Sequence, residues 1–332
     1  MSKADVVFVI LCAGATLYAT FGGADFGAGV WQLLASRDSD HARRERIDGR
    51  VAHSLGPVWE ANHVWLIFAL VVLWTGFPAA FGPIMETLYV PLALAAVGIV
   101  LRGSGFAFGH VFTEVAGRRS NDVFAVSSLI TPFFMGCVVG AIAAGDVSAG
   151  GSGSALGWIG ALPILVGVLF VASCAYIASI FLLDDCRRAG DVELEAYFKR
   201  RSIAAAIATG ALAAGGLGVL HADARYVFDG LVGEGLPLLI ASALLGGATL
   251  LGLFRGWTWQ LRPLALGAAA TVIAGYAAAQ YPYLLPQTLT VTDGAAVGAT
   301  LTAVIIVFVF AVAIVGPSLA LLYRLAQKQT LE

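Results

Sequence analysis

Five side chains that ionise or carry protons, Asp25, Glu60, His63, Arg102 and His110, stand inside stretches that are otherwise apolar. A charge at the centre of a bilayer costs about 3 kcal/mol by insertion measurements and more by simulation, so each of these residues needs a partner or a task. Asp25 sits in Gly22-Gly-Ala-Asp-Phe-Gly-Ala-Gly29, where Gly23 and Gly27 make a GxxxG face that lets a neighbouring backbone come close. Such a carboxyl group serves a proton path or an ion pair. The alternative is a buried, hydrogen-bonded acid in a glycine contact. Glu60 and His63 lie three residues apart in Gly56-Pro-Val-Trp-Glu-Ala-Asn-His-Val-Trp65, so a helix puts them on one face with Asn62 beside them. Pro57 suits a helix start, and a carboxylate in the first turn is favoured by the helix dipole. The same cluster of Glu, Asn and His can collect protons, and the two readings are compatible. No span carries an HxxxH or HxxE run, and low-spin haem needs two axial ligands, so neither haem nor metal is expected on this chain.

The depths of these residues follow from the 1.5 Å rise of a helix. Glu60 falls about 5 Å inside the membrane edge, and Asp25 and Arg102 each fall about 13 Å deep. At matching depth, Asp25 is the acid that can compensate the Arg102 guanidinium, and an Asp25–Arg102 pair is expected. Otherwise Arg102 bonds to helix carbonyls or to a lipid or quinone headgroup.

The elements that must hold these groups are membrane helices. Of 332 residues, 59% are hydrophobic and 12% charged, and mean hydropathy is +0.87. A soluble domain carries about 25% charged residues, so soluble enzymes, nucleic-acid binders and disordered scaffolds are excluded. The formal charge of -2 offers no basic surface for a polyanion. Cys12, Cys137, Cys174 and Cys186 stand singly, with no CxxC pair. Nine apolar stretches are long enough to span: about 6–34, 57–77, 87–111, 123–145, 157–183, 202–221, 235–254, 263–283 and 294–323. The runs are continuous rather than alternating, which excludes a β-barrel. The first is too long for a cleaved signal and has no cleavage pattern. Sixteen of the 19 lysines and arginines fall in alternate loops, which places the N-terminus outside and the C-terminus inside. Basic loops of similar length follow the first and fifth stretches. The expected architecture is a single integral membrane domain: a four-helix unit over 1–145 holding the polar residues, a second over 157–283, and a last helix over 294–323.

Read together, Gly22–Gly29, Gly56-Pro-Val-Trp-Glu-Ala-Asn-His-Val-Trp-Leu-Ile67, Leu73-Trp-Thr-Gly-Phe-Pro78, Tyr89-Val-Pro-Leu92, Gly98-Ile-Val-Leu-Arg-Gly103 and Tyr281-Pro-Tyr-Leu-Leu-Pro286 resemble subunit II of cytochrome bd quinol oxidase. The resemblance covers the whole chain and is densest over 20–110. It implies an inner-membrane oxidase that oxidises quinol, reduces dioxygen to water and contributes to the proton motive force. It implies a heterodimer in which haems b and d belong to subunit I, sometimes with a small single-span third subunit, and with lipid or a structural quinone as further ligands. It implies a proton path at Glu60 and puts Asp25 and Arg102 at family positions, and the residues themselves suggest Asp25 and His63 as further members of the path. The reading from another class is a transporter-like permease, suggested by repeats and charges in Gly-rich helices.

Overall fold

The computed structural model describes residues 1–37, 40–55, 59–109, 114–151 and 153–327, and side chains outside 52–61, 106–122, 319–320 and 322–332. The described residues of the nine apolar stretches lie mostly on helices. The first is a continuous rod, Lys3–Ala35, made of α1 (Lys3–Leu17), a π-helical turn (Tyr18–Gly22) and α2 (Gly23–Ala35). Ser2 caps it: its hydroxyl accepts from the Asp5 amide, and the Asp5 carboxylate accepts from the Ser2 amide at 2.7 Å. A surface helix, α3 (His41–Leu55), occupies the first basic loop and buries Ile47 and Val51 on its inner face. The second stretch, α4 (Trp59–Gly76), breaks at Phe77, and α5 (Pro78–Thr87) leaves at 117°. Pro78 has no amide to continue the ladder, which is why the helix turns here. Then come α6 (Tyr89–Gly109), α7 (Glu114–Ala144), α8 (Ala161–Arg188), α9 (Val192–Asp223) and the short α10 (Arg225–Val232). Helices α11 (Leu236–Arg255), α12 (Leu261–Gln280) and α13 (Gly298–Gln327) complete the chain.

Among the described residues, seven helices are long and apolar enough to cross a membrane, or eight with the bent α4–α5 pair as one span. Helix α6 is the shorter apolar one. The eighth stretch was expected to run to 283, but the helix ends at Gln280 because Pro282 cannot extend it. Residues Tyr283–Leu285 (β1) instead pair antiparallel with Leu289–Thr290 (β2), after a cis Tyr281–Pro282 bond.

The two ends of the rods carry different chemistry. At one end the basic loops meet. Arg46 of α3 bonds Glu193 at 2.6 Å and also Asp191, and Arg43 reaches Glu193 at 3.3 Å. Arg187 holds Glu195 at 2.7 Å and the Trp257 carbonyl at 2.7 Å, and Arg262 lies 2.8 Å from Asp184. At Asp191 partial burial works against ionisation, but the bonds from Arg46 and the Leu194 amide hold its carboxyl below the usual carboxylate range. At the other end the Ala296 amide donates to the Gly76 carbonyl at 2.8 Å, and the Tyr281 hydroxyl to Asp5 at 3.3 Å.

Close approach between rods depends on glycine. A Cβ on Gly27 would stand 1.9 Å from the Cys174 carbonyl oxygen of α8, whereas at Gly23 it would meet the Cys174 sulfur at an ordinary 3.4 Å. Of the two GxxxG positions, Gly27 therefore carries the close contact. Gly27→Ala must push α2 off α8, and overpacking of this kind costs about 1–3 kcal/mol or more. The purified assembly is expected to show a lower thermal midpoint with Gly27→Ala. Gly210→Ala, where a Cβ meets nothing within 4 Å, should leave it unchanged or raise it. Equal midpoints for the two variants would contradict the packing.

Candidate functional site

The π-helical turn sets the site. Its widened backbone is steadied by the Thr20 hydroxyl, which donates to the Thr16 carbonyl at 2.7 Å, and such turns concentrate at functional positions. Asn62 of α4 reaches across to it. Its amide nitrogen donates to the Phe21 carbonyl at 3.3 Å and to Asp25 Oδ2 at 2.5 Å. One side chain thus pins α4 to the first rod and holds the buried acid. Asp25 is 2% exposed.

Arg102 is presented by α6. A Cβ on Gly98, one turn earlier, would meet Thr131 Oγ1 of α7 at 2.3 Å, so α6 and α7 lie close enough to bury the guanidinium completely. Arg102 Nη1 donates to Ser128 Oγ, which itself donates to the Phe124 carbonyl at 2.7 Å. The guanidinium carbon lies 4.3 Å from the Phe124 ring centre and 4.9 Å from that of Phe26. Two aromatic faces therefore supply the negative potential that desolvation removed. Phe26 is the hub. The Tyr18 ring stands edge-on to it at 6.2 Å and the His63 ring at 6.3 Å, and Tyr18 and His63 are 6.4 Å apart.

Asp25 and Arg102, expected as a pair, are neighbours here, but each has another hydrogen-bond partner. Among the described residues no Asp25 oxygen lies within 4.0 Å of an Arg102 nitrogen, because Asn62 takes the carboxylate while Ser128 and the two rings take the guanidinium. The two charges remain neighbours and act on each other electrostatically. The structure thus gathers Asp25, His63 and Arg102 around Phe26. Glu60 lies in the first turn of α4, with its side chain outside the described residues, and His110 lies outside them altogether. Sequence reasoning did not find Asn62 as the partner of Asp25, nor Ser128 and Tyr18.

The His63 ring stands edge-on to both Tyr18 and Phe26, and Trp65, Leu66 and Met135 pack against the cluster that Tyr18 and Phe26 form. Among the described residues no group of three or more His, Cys, Asp or Glu could hold a metal ion.

Comparison with known proteins gives consistent matches. A family model described as cytochrome bd terminal oxidase subunit II matches residues 3–326. The chain is 25% identical over 263 residues to cytochrome bd ubiquinol oxidase subunit 2 of Bacillus subtilis, covering 77% of this chain and 75% of that one. Cytochrome bd-I ubiquinol oxidase subunit 2 of Escherichia coli K12 is 28% identical over 125 residues, 37% of this chain and 31% of that one. The solved structure of bd oxidase from Geobacillus thermodenitrificans superimposes with a TM-score of 0.76 at 25% identity, covering 98% of each chain.

Proposed function

The chain belongs to the cytochrome bd terminal oxidase subunit II family, and from that premise we propose that it guides protons from the cytoplasmic side toward the dioxygen-reducing site of its complex. As subunit II of a bd-type quinol oxidase it is a multi-pass protein of the bacterial membrane, part of an oxidoreductase complex that carries haems, with subunit I as its partner. The family assignment displaces the permease reading. In our reading subunit I holds haems b and d. The spans form two four-helix units, over 1–145 and 157–283, plus the helix over 294–323. A small third subunit, lipid and a structural quinone are further partners of the assembled enzyme.

The observation that carries the proton reading is the Asn62–Asp25 hydrogen bond at 2.5 Å. Asn62 lies two residues after Glu60 on α4, about 3 Å along the axis, and in our reading protons that enter near Glu60 pass along this helix toward Asp25. Ser128 packs on the face of Gly29, where a Cβ would meet it at 2.3 Å. In our reading the approach to Asp25 runs along α4. Asn62→Leu keeps both acids and removes the link. A hydrogen bond to a charged group contributes about 1.5–3 kcal/mol, which converts to a loss of about 10- to 100-fold in turnover. Haem content should be retained, and the solvent deuterium isotope effect on turnover should rise. Wild-type turnover with an unchanged isotope effect would overturn this link.

The N-terminus faces outward and the basic loops face the cytoplasm in this reading. It is supported by the meeting of α3, the α8–α9 loop and the α11–α12 loop at one end of the rods. Cysteines placed at Ala149 and at Val192, which is 76% exposed, are expected to react with an impermeant reagent from opposite sides of a sealed membrane. Labelling of both from one side would refute the orientation.

A further inference from the structure

The guanidinium of Arg102 is 0% exposed, yet among the described residues only Nη1 has a hydrogen-bond partner. Nε and Nη2 meet no acceptor among the described residues, although guanidinium hydrogens are strong donors that buried sites rarely leave unpaired. The Tyr18 hydroxyl, on a residue 6% exposed, is equally without a hydrogen-bond partner among the described residues. These orphans belong to one locus, not to scattered defects. Tyr18 and Arg102 both pack on Phe26, and Tyr18, Asp25 and Arg102 act electrostatically on one another. Asp25 Oδ2 accepts from Asn62, and a carboxylate has further acceptor capacity. Donors at Arg102, a donor and acceptor at Tyr18, and free lone pairs at Asp25 thus face an interval that no protein group bridges among the described residues.

We propose that this interval, bounded by Tyr18, Asp25, Phe26 and Arg102, is an internal water-binding site. Water there accepts from Arg102 Nε or Nη2 and donates to Asp25 and Tyr18. Buried waters typically make about three hydrogen bonds to otherwise unsatisfied groups, and the groups here supply that number. A water-separated pair also reconciles the matched depth of Asp25 and Arg102 with their lack of contact. Its chemical consequence concerns proton exchange. A carboxylate locked bidentate onto a guanidinium is a static structural unit. A carboxylate joined to it by water can exchange its proton with that water. That role rests on the proton-path reading above; the occupancy of the site by water does not.

The test is an electron cryomicroscopy map of the assembled wild-type oxidase at a resolution that shows ordered water. Density for at least one water within about 3 Å of Arg102 Nε or Nη2, and within the same reach of Asp25 or Tyr18, is the expected result. In the Tyr18→Phe complex the water facing residue 18 should be lost or displaced while the haem complement stays unchanged. A direct Arg102–Asp25 contact, a side chain of another subunit on the guanidinium, or a lipid or quinone headgroup in the interval would overturn the proposal. Water present in a complex whose Asn62→Leu and Glu60→Gln variants turn over normally would sink the proton path and leave the site standing. No water beside impaired variants would do the reverse.

Discussion

Arg102→Met is expected to destabilise the assembled oxidase and to lower its yield with a full haem complement, more than any other single change in this chain's interior. The methionine fills similar volume between the Phe26 and Phe124 rings, so the effect reads the charge and not a cavity. Three things go at once: the bond to Ser128, the attraction of two aromatic faces, and the positive charge that offsets Asp25. Removing one partner of a buried charge pair costs about 3–5 kcal/mol, because the remaining charge is left without compensation. Asn62 still holds the Asp25 carboxylate, but an amide dipole does not replace a full charge. Asp25→Asn should be milder, since the new carbonyl oxygen still accepts from Asn62, though it leaves the guanidinium uncompensated. The double variant should then be less harmful than the two single effects added, the signature of coupled sites. Arg102→Lys should fall between, as it keeps the charge but loses the planar fork that stacks on the rings. Thermal midpoints of the four purified complexes and their haem-to-protein ratios decide the matter. Strict additivity, or a wild-type midpoint for Arg102→Met, would show that Asp25 and Arg102 are independent.

What the sequence reveals here, and what it hides, follows from how each interaction is encoded. Charges in apolar sequence are conspicuous, so Asp25 and Arg102 stand out, and helical rise alone places them at one depth. Their actual partners are quiet residues. Asn62 sits among ordinary polar neighbours, and a serine such as Ser128 usually bonds its own helix, as it also does here. Nothing in hydropathy distinguishes either one. The π-helical turn is equally hidden, because it depends on a threonine hydroxyl and on a contact from another rod. Gly27 was legible as a close-contact glycine, but the rod it meets was not, since a GxxxG pattern names no partner. The surface helix α3 was readable in principle: Ile47 and Val51 are four residues apart in an otherwise charged run, which is one buried stripe. The bend at Phe77 shows why span counting is fragile. A proline after an aromatic residue ends one helix and starts another within a single apolar run.

Glu60→Gln should leave the complex assembled with its haems and reduce quinol oxidase turnover about 100-fold, the lower end of what a positioned proton-transfer group contributes. Reduction of dioxygen consumes protons, and hydrocarbon does not conduct them, so a site within the membrane needs titratable groups and water leading to it. In the proposed reading Glu60 begins such a lead. It lies in the first turn of α4, and the same helix contributes Asn62, bonded to the buried Asp25, and His63, whose ring packs against Phe26. A glutamine preserves size and hydrogen bonding, and it retains the first-turn position where dipole effects are worth only about 0.3–1 kcal/mol. A cap role alone therefore predicts a small stability change and normal turnover. A proton role predicts the opposite, near-normal stability and a large loss of rate. Glu60→Asp separates the two further. It keeps an ionisable group one methylene shorter, so turnover should return to within a few fold of wild type, with an altered pH profile. Quinol should still reduce the haems of the Glu60→Gln complex under anaerobic conditions. The defect should appear only when dioxygen is admitted and protons are drawn in. If Glu60→Gln turns over at the wild-type rate across pH 6 to 8, the acid is a helix cap and the conduit to Asp25 begins elsewhere.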